Sequence, residues 1–314
     1  MHMLHKIIIS YCNWLILRFL FLVIIISNNA HGQTVSTDSI QIADSLILDK
    51  TEFNFFMLDA SYTNNKIKIG DQSDISVPAM FANISFFHKS GLYSDLMYTN
   101  YISADTLSYD TDIQLGFQKY FFNDIVDIDL NYTYHKFSGM DDFKGLDYNH
   151  TINISSGFNY KFLRIYADGV FYLDNENYFT DIGLSLLLDF ENFIFKNDYI
   201  FIMPTLSVSY GTDYWLYDIY EPYVENILLP ILEYRGYPVN NLSTQDVIER
   251  YLERNGLNTN TFTYQGIDFL IPITYGIGGV SATFAWMYNI PSDKVKEFGL
   301  RDQSGYIISL SYIF

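Results

Sequence analysis

Only one cysteine, Cys12, occurs in the 314 residues. That excludes a disulfide framework and a cysteine-built zinc ribbon. Basic residues are also scarce, 18 Lys and Arg against 36 Asp and Glu. A nucleic-acid partner needs a basic stripe that displaces counterions, and a net charge of −18 argues against one. After Gly32 no apolar run approaches the roughly 18 residues of a helical membrane span. HExxH, GxSxG and Walker patterns are missing too, so no common catalytic motif announces an enzyme, and no cofactor is implied. What is abundant is rings: 28 Tyr, 26 Phe and 3 Trp. An acidic chain this aromatic, with mean hydropathy near zero, is not a disordered tail.

Residues 1–32 have the pattern of a signal peptide. Lys6 and Arg18 precede any acidic residue, Phe19 to Ile26 is a short apolar core, and Ala30-His31-Gly32 is a small-x-small cleavage pattern. A membrane anchor over Ile7 to Ile26 is the competing reading, but Asn13 and Arg18 would be costly in hydrocarbon. Cleavage near Gly32 removes Cys12 and two basic charges. Segment 33–51 is then an N-terminal periplasmic stretch, polar except for Ile40, Ile42, Leu46, Ile47 and Leu48.

From there the chain alternates. In 280–290, Val280, Ala282, Phe284, Trp286, Tyr288 and Ile290 oppose Ser281, Thr283, Ala285, Met287 and Asn289. In 126–135, Val126, Ile128, Leu130, Tyr132 and Tyr134 oppose Asp127, Asp129, Asn131, Thr133 and His135. Windows 150–160 and 181–190 repeat the pattern. Such alternation fits any half-buried antiparallel strand, soluble sandwiches included. Two features favour lipid. The strands are about ten residues long, the length a tilted strand needs to cross, and their apolar faces carry aromatics near the ends. The chain also ends on an amphipathic stretch, with Tyr306, Ile308, Leu310, Tyr312 and Phe314 on one face.

With that terminal strand and the signal peptide, the sequence resembles the β-barrel outer-membrane proteins of Gram-negative bacteria. The resemblance implies residence in the outer membrane among its lipids. It also implies that the barrel-assembly machinery recognises the last strand through Tyr306, Ile308, Leu310, Tyr312 and Phe314.

The expected fold is all-β, a transmembrane antiparallel up-and-down barrel over 52–314. Strands are expected near 53–63, 79–88, 92–102, 111–121, 125–137, 150–160, 163–173, 178–189, 199–210, 262–275, 279–290 and 304–314. That makes about twelve, with ten or fourteen as alternatives. Short turns at 89–91, 122–124, 161–162 and 276–278 alternate with longer connections, the asymmetry of known barrels. The 190–198 turn is long and apolar, and Pro204 and Pro272 each call for a bulge or a ladder end. The long loop 211–261 is expected to be partly helical, because Ser243 to Gly256 begins with an N-cap serine and ends with a glycine. It serves either as a lid on its own strand ends or as a constriction folded into the lumen.

If the apolar face meets lipid, the polar face lines the interior. Its ionisable residues are Asp59, Asp95, Asp127, Asp129, Arg164, Asp168, Asp181, Asp189 and Asp268. Eight acids against one base favour cations or neutral solutes. The alternative is local pairing, for instance of Arg164 with Asp168, in a filled barrel. No catalytic set is assigned. Around loop 138–149, His135, Asp141, Asp142, Asp147 and His150 could gather a cation or polarise a water, but they also look like solvated loop chemistry. The expected function is a porin-like passive channel for small hydrophilic or cationic solutes. The alternatives are a non-conducting anchor, adhesin or secretion-apparatus subunit acting through loop 211–261, and, further off, a rim hydrolase around His135.

Overall fold

Residues whose side chains alternate between oil and water leave every backbone N–H and C=O pointing sideways, so each strand needs a neighbour on both edges. In a bilayer only a closed ring provides that. The computed structural model describes residues 54–65, 78–102, 107–138, 149–174, 177–213, 216, 220, 223–235 and 244–314. Its strands are β1 (Phe55–Thr63), β2 (Ala79–Phe87), β3 (Leu92–Ile102), β4 (Leu107–Phe121), β5 (Val126–Ser138), β6 (His150–Tyr160) and β7 (Leu163–Tyr172). They continue with β8 (Tyr178–Leu186), β9 (Leu188–Glu191), β10 (Asp198–Ile202), β11 (Thr205–Thr212), β12 (Phe262–Ile277), β13 (Val280–Pro291) and β14 (Gln303–Ile313).

Neighbours in sequence pair antiparallel except β8 with β9 and β10 with β11, β12 pairs with β10 as well as β11, and β14 returns to β1. There Phe314 and Phe56 exchange two backbone hydrogen bonds of 3.0 Å. The β11–β12 pairing joins the two remaining sides, so the sheet is closed. β8 with β9 and β10 with β11 are each one stave interrupted once, which makes twelve staves.

Both interruptions fall at one place, and proline explains it. Pro204 lies between β10 and β11 and turns its backbone toward β8, where its carbonyl accepts from Leu186 N–H. Pro272 on β12 stands opposite Met203, whose N–H donates to the Pro272 carbonyl. Two residues without an N–H therefore weaken two adjoining ladders at the same level. Beside it Leu187 leaves the β8 line and donates to the Phe162 carbonyl. Below the break, β9 and β10 run on as a hairpin. Its turn is tied by the Asp198 carboxylate, which accepts from the N–H groups of Ile194 (2.9 Å) and Phe195 (2.8 Å). The apolar run at 193–195 is thus the tip of a hairpin, and the register does not slip there.

The turns from β2 to β3, β4 to β5, β6 to β7 and β12 to β13 are short and lie at one end with Phe314. Positive φ at Gly91, Asn123, Lys161 and Gly278 gives these turns their twist. The long connections lie at the other end. Residues 1–32, with the pattern of a signal peptide, and segment 33–51 are outside the described residues.

Outside, the barrel is apolar. Leu115, Ile84, Leu130, Ile113 and Ile154 each expose about half of their surface around its middle. Rings cap both margins: Phe56 against Phe314 (5.7 Å) at the turn end, and Tyr98 against Tyr109 (5.8 Å) and Tyr178 against Phe262 (5.1 Å) at the loop end. A continuous apolar belt between aromatic margins far exceeds the patches water tolerates. The chain spans a bilayer, with its short turns at one face and its long connections at the other.

Over the loop end sits a small helical cap. A π-helix (Val224–Leu228), α1 (Leu229–Tyr234) and α2 (Thr244–Arg254) come from the β11–β12 connection, and α3 (Asp293–Glu297) from the β13–β14 connection. Leu216, Val224, Val247, Ile248 and Leu252 pack with Val295 and Leu300 in one buried cluster. The long loop thus buries these five side chains against the neighbouring connection, while Tyr223, Ile227 and Ile231 stay exposed. Gly256, with φ +74°, ends α2, and Leu257 N–H returns to the Leu252 carbonyl at 2.9 Å. Ser243 lies outside the described residues. A polar contact fastens the cap to the wall: Lys294 of α3 pairs with buried Asp213, to which bulged Gln265 of β12 also donates (3.3 Å) alongside the Gly211 carbonyl (3.0 Å).

Candidate functional site: the acidic interior wall

Register fixes which side chains look inward. In antiparallel pairing, directly opposed residues share a face, so one inward residue assigns its partners. Asp59, Asp95, Asp127, Asp129, Arg164, Asp168, Asp181 and Asp268 all fall on the inward face. Asp189 differs. It lies in β9 beyond the break, exposed at the turn-end mouth rather than within the wall. Two further carboxylates, Asp110 and Asp112, stand on the inward face of β4 and are buried. Alternation marks them: Asp110, Asp112, Gln114, Gly116 and Gln118 oppose Tyr109, Thr111, Ile113, Leu115 and Phe117. A strand start set at 111 cuts that series, and β4 begins four residues earlier.

Among the described residues, Arg164 is the one Lys or Arg at an inward strand position. Its Nη2 donates to Asp127 Oδ1 at 2.9 Å, and Asn159 Nδ2 donates to Asp127 Oδ2 at 2.9 Å. The arginine thus reaches across β6 to β5 and is not held by its near neighbour Asp168. Gly157 leaves room for the pair, since a Cβ there would stand 2.5 Å from Asp127 Oδ2. Tyr93 and Tyr166 use the same device, each ring lying over a glycine on an adjoining strand, Gly116 and Gly183.

The acids form two groups on the wall. On β3 to β5, Asp129 accepts from Tyr93 (2.9 Å) and Asn131 (3.0 Å), and nearer the outer end Asp112 Oδ1 meets His135 Nδ1 at 2.7 Å. On the far side, Asp168 and Asp181 are directly opposed in the register. Ser209 Oγ lies 2.5 Å from Asp181 and 2.6 Å from Asp268. A hydroxyl has one hydrogen, so Ser209 donates to one of the two carboxylates at a time. Asn289 holds the other oxygen of Asp268 at 2.6 Å.

The rim residues separate. His135 points inward, with Nε2 3.0 Å from Thr151 Oγ1, whereas His150 points outward and meets the Tyr132 hydroxyl at 2.6 Å. Asp141, Asp142 and Asp147 lie outside the described residues. Asp112, His135 and Thr151 have the order of acid, base and hydroxyl, but Thr151 is 3% exposed and its strand's amides serve the ladder. A substrate carbonyl has neither access nor a pair of donors there. Outside the membrane, Lys296 and Asp302 pair at 2.9 Å, which raises the lysine pKa and lowers that of the carboxyl.

No family model matches the chain, and no curated protein matches it in sequence. Solved structures resemble it in outline. A KdgM porin is 10% identical, with a TM-score of 0.45, covering 82% of this chain and 98% of that one. LpxR from Salmonella typhimurium is 9% identical with the same score, covering 82% and 100%. A NanC porin is 7% identical, with a TM-score of 0.41, covering 82% and 98%. At that distance they decide nothing about the site. Closure, the apolar belt and the inward polar face carry the conclusion: this chain is a closed, membrane-spanning β-barrel with a predominantly acidic interior.

Proposed function

We propose that the barrel is a passive channel for small hydrophilic solutes that prefers cations. One observation carries the reading: the spanning wall holds many carboxylates and a single fixed positive charge, Arg164, already paired with Asp127. Low-dielectric walls focus that field, attracting cations to the lumen and repelling anions. Purified protein in a planar bilayer under a salt gradient should show conductance steps whose reversal potential has the sign of cation selectivity. A reversal potential of the opposite sign would refute the bias.

A second reading has its own support. Met57, Ser85, Thr99 and Asp112 are inward residues, each no more than 2% exposed, so side chains fill much of the interior around them. A filled barrel whose helical cap does the work, as anchor, adhesin or apparatus subunit, fits that packing. A folded barrel without conductance steps would favour it.

A further inference from the structure

Near the outer end of the wall, three ligand-bearing side chains meet. One ligand atom from each of Asp110, Asp112 and His135 lies within 4.8 Å of the other two. They are held there by strand geometry. Asp110 and Asp112 are two residues apart on the inward face of β4, and His135 is the register partner of Asp112 on β5. The imidazole is further fixed by Thr151 and by stacking on Phe137, 6.1 Å between centroids.

Two buried atoms facing this cluster have no hydrogen-bond partner within the protein. One is Asp112 Oδ2, on a residue only 2% exposed. The other is the hydroxyl of Thr99, which is fully buried and stands directly opposite Asp110 in the β3–β4 register. A buried polar atom without a partner costs about 1–3 kcal/mol, and more for a charged one. Hydrogen bonding is therefore left short at two atoms beside this cluster, Asp112 Oδ2 and Thr99 Oγ.

We propose that Asp110, Asp112 and His135 bind a divalent first-row cation of the Zn2+ kind, with Thr99 Oγ beside it. An imidazole with two carboxylates suits such an ion better than Ca2+, which takes oxygen ligands almost alone. Around Zn2+, ligand atoms about 2.0–2.2 Å from the metal stand a little over 3 Å from one another. The His135–Asp112 contact of 2.7 Å therefore opens by only a few tenths of an ångström as the ion replaces that hydrogen bond. Binding does not depend on whether the barrel conducts.

The test uses the full chain folded in detergent, stripped with chelator and titrated with Zn2+ by calorimetry. Unboiled gel migration reports folding of every variant. Wild type should take up about one equivalent, and Asp110→Asn, Asp112→Asn and His135→Gln should each weaken binding at least tenfold. Asp181→Asn should bind as wild type does. Co2+ in place of Zn2+ should give an absorption spectrum that His135→Gln alters. The proposal is overturned if folded wild type takes up no Zn2+, if the three variants bind as well as wild type, or if Ca2+ binds more tightly than Zn2+.

Discussion

Ile154→Arg should destabilise the folded barrel by about 2–4 kcal/mol, the cost of an arginine on the lipid face near the bilayer midplane. Asn153→Arg, one residue away, should cost a small fraction of that. Ile154 lies midway along β6 and exposes 45% of its surface outward, whereas half-buried Asn153 donates to Asn131 across the inward face at 2.6 Å. Adjacent positions on one strand differ in solvent, and the arginine entering the lumen meets carboxylates. Denaturant titration of protein in lipid vesicles measures the difference as a shift in midpoint at constant slope. Equal midpoints for the two variants would mean that both faces meet the same medium.

Arg164→Met should destabilise by a similar or larger amount, about 3–5 kcal/mol, because it leaves Asp127 buried without its countercharge. Asp127 is 3% exposed, and Asp129 stands two residues away on the same face. The double variant Arg164→Met with Asp127→Asn should regain most of the loss, since Asn159 can still bond the neutral amide oxygen. This separates the orphaned charge from lost arginine packing. A double variant no more stable than Arg164→Met would assign the cost to packing.

Much of this architecture is legible in the sequence because a barrel wall writes itself in a period of two. Each residue answers to one solvent, and closure then follows from the bilayer. The staves from Phe55 and Ala79 through Tyr178 and Val280 start within two residues of where alternation puts them, β4 excepted. What period two cannot encode is partner choice across strands. Arg164 sits four residues from Asp168, yet it bonds Asp127, 37 residues away, because β6 places a glycine between them. That Pro204 and Pro272 fall at one level of the wall is hidden for the same reason, since neither shows which strand runs beside it. His135 and His150 illustrate the limit at the rim. They are close in the β5–β6 hairpin, but odd and even positions put them on opposite faces. Asp110 and Asp112 are both within reach of the alternation. A strand start at 111 excludes Asp110 alone, and Asp112 lies inside that strand on the same face as Gln114.

The most direct test of the orientation uses Trp286, outward in the middle of β13 and stacked on Tyr288 at 5.9 Å. With Trp14 and Trp215 replaced by phenylalanine, the fluorescence of Trp286 is measured in vesicles of brominated lipid and, separately, with aqueous iodide. Strong quenching by the bromines and almost none by iodide is the expected result. Quenching by iodide with none by brominated lipid would contradict it, placing the apolar face of every strand in water.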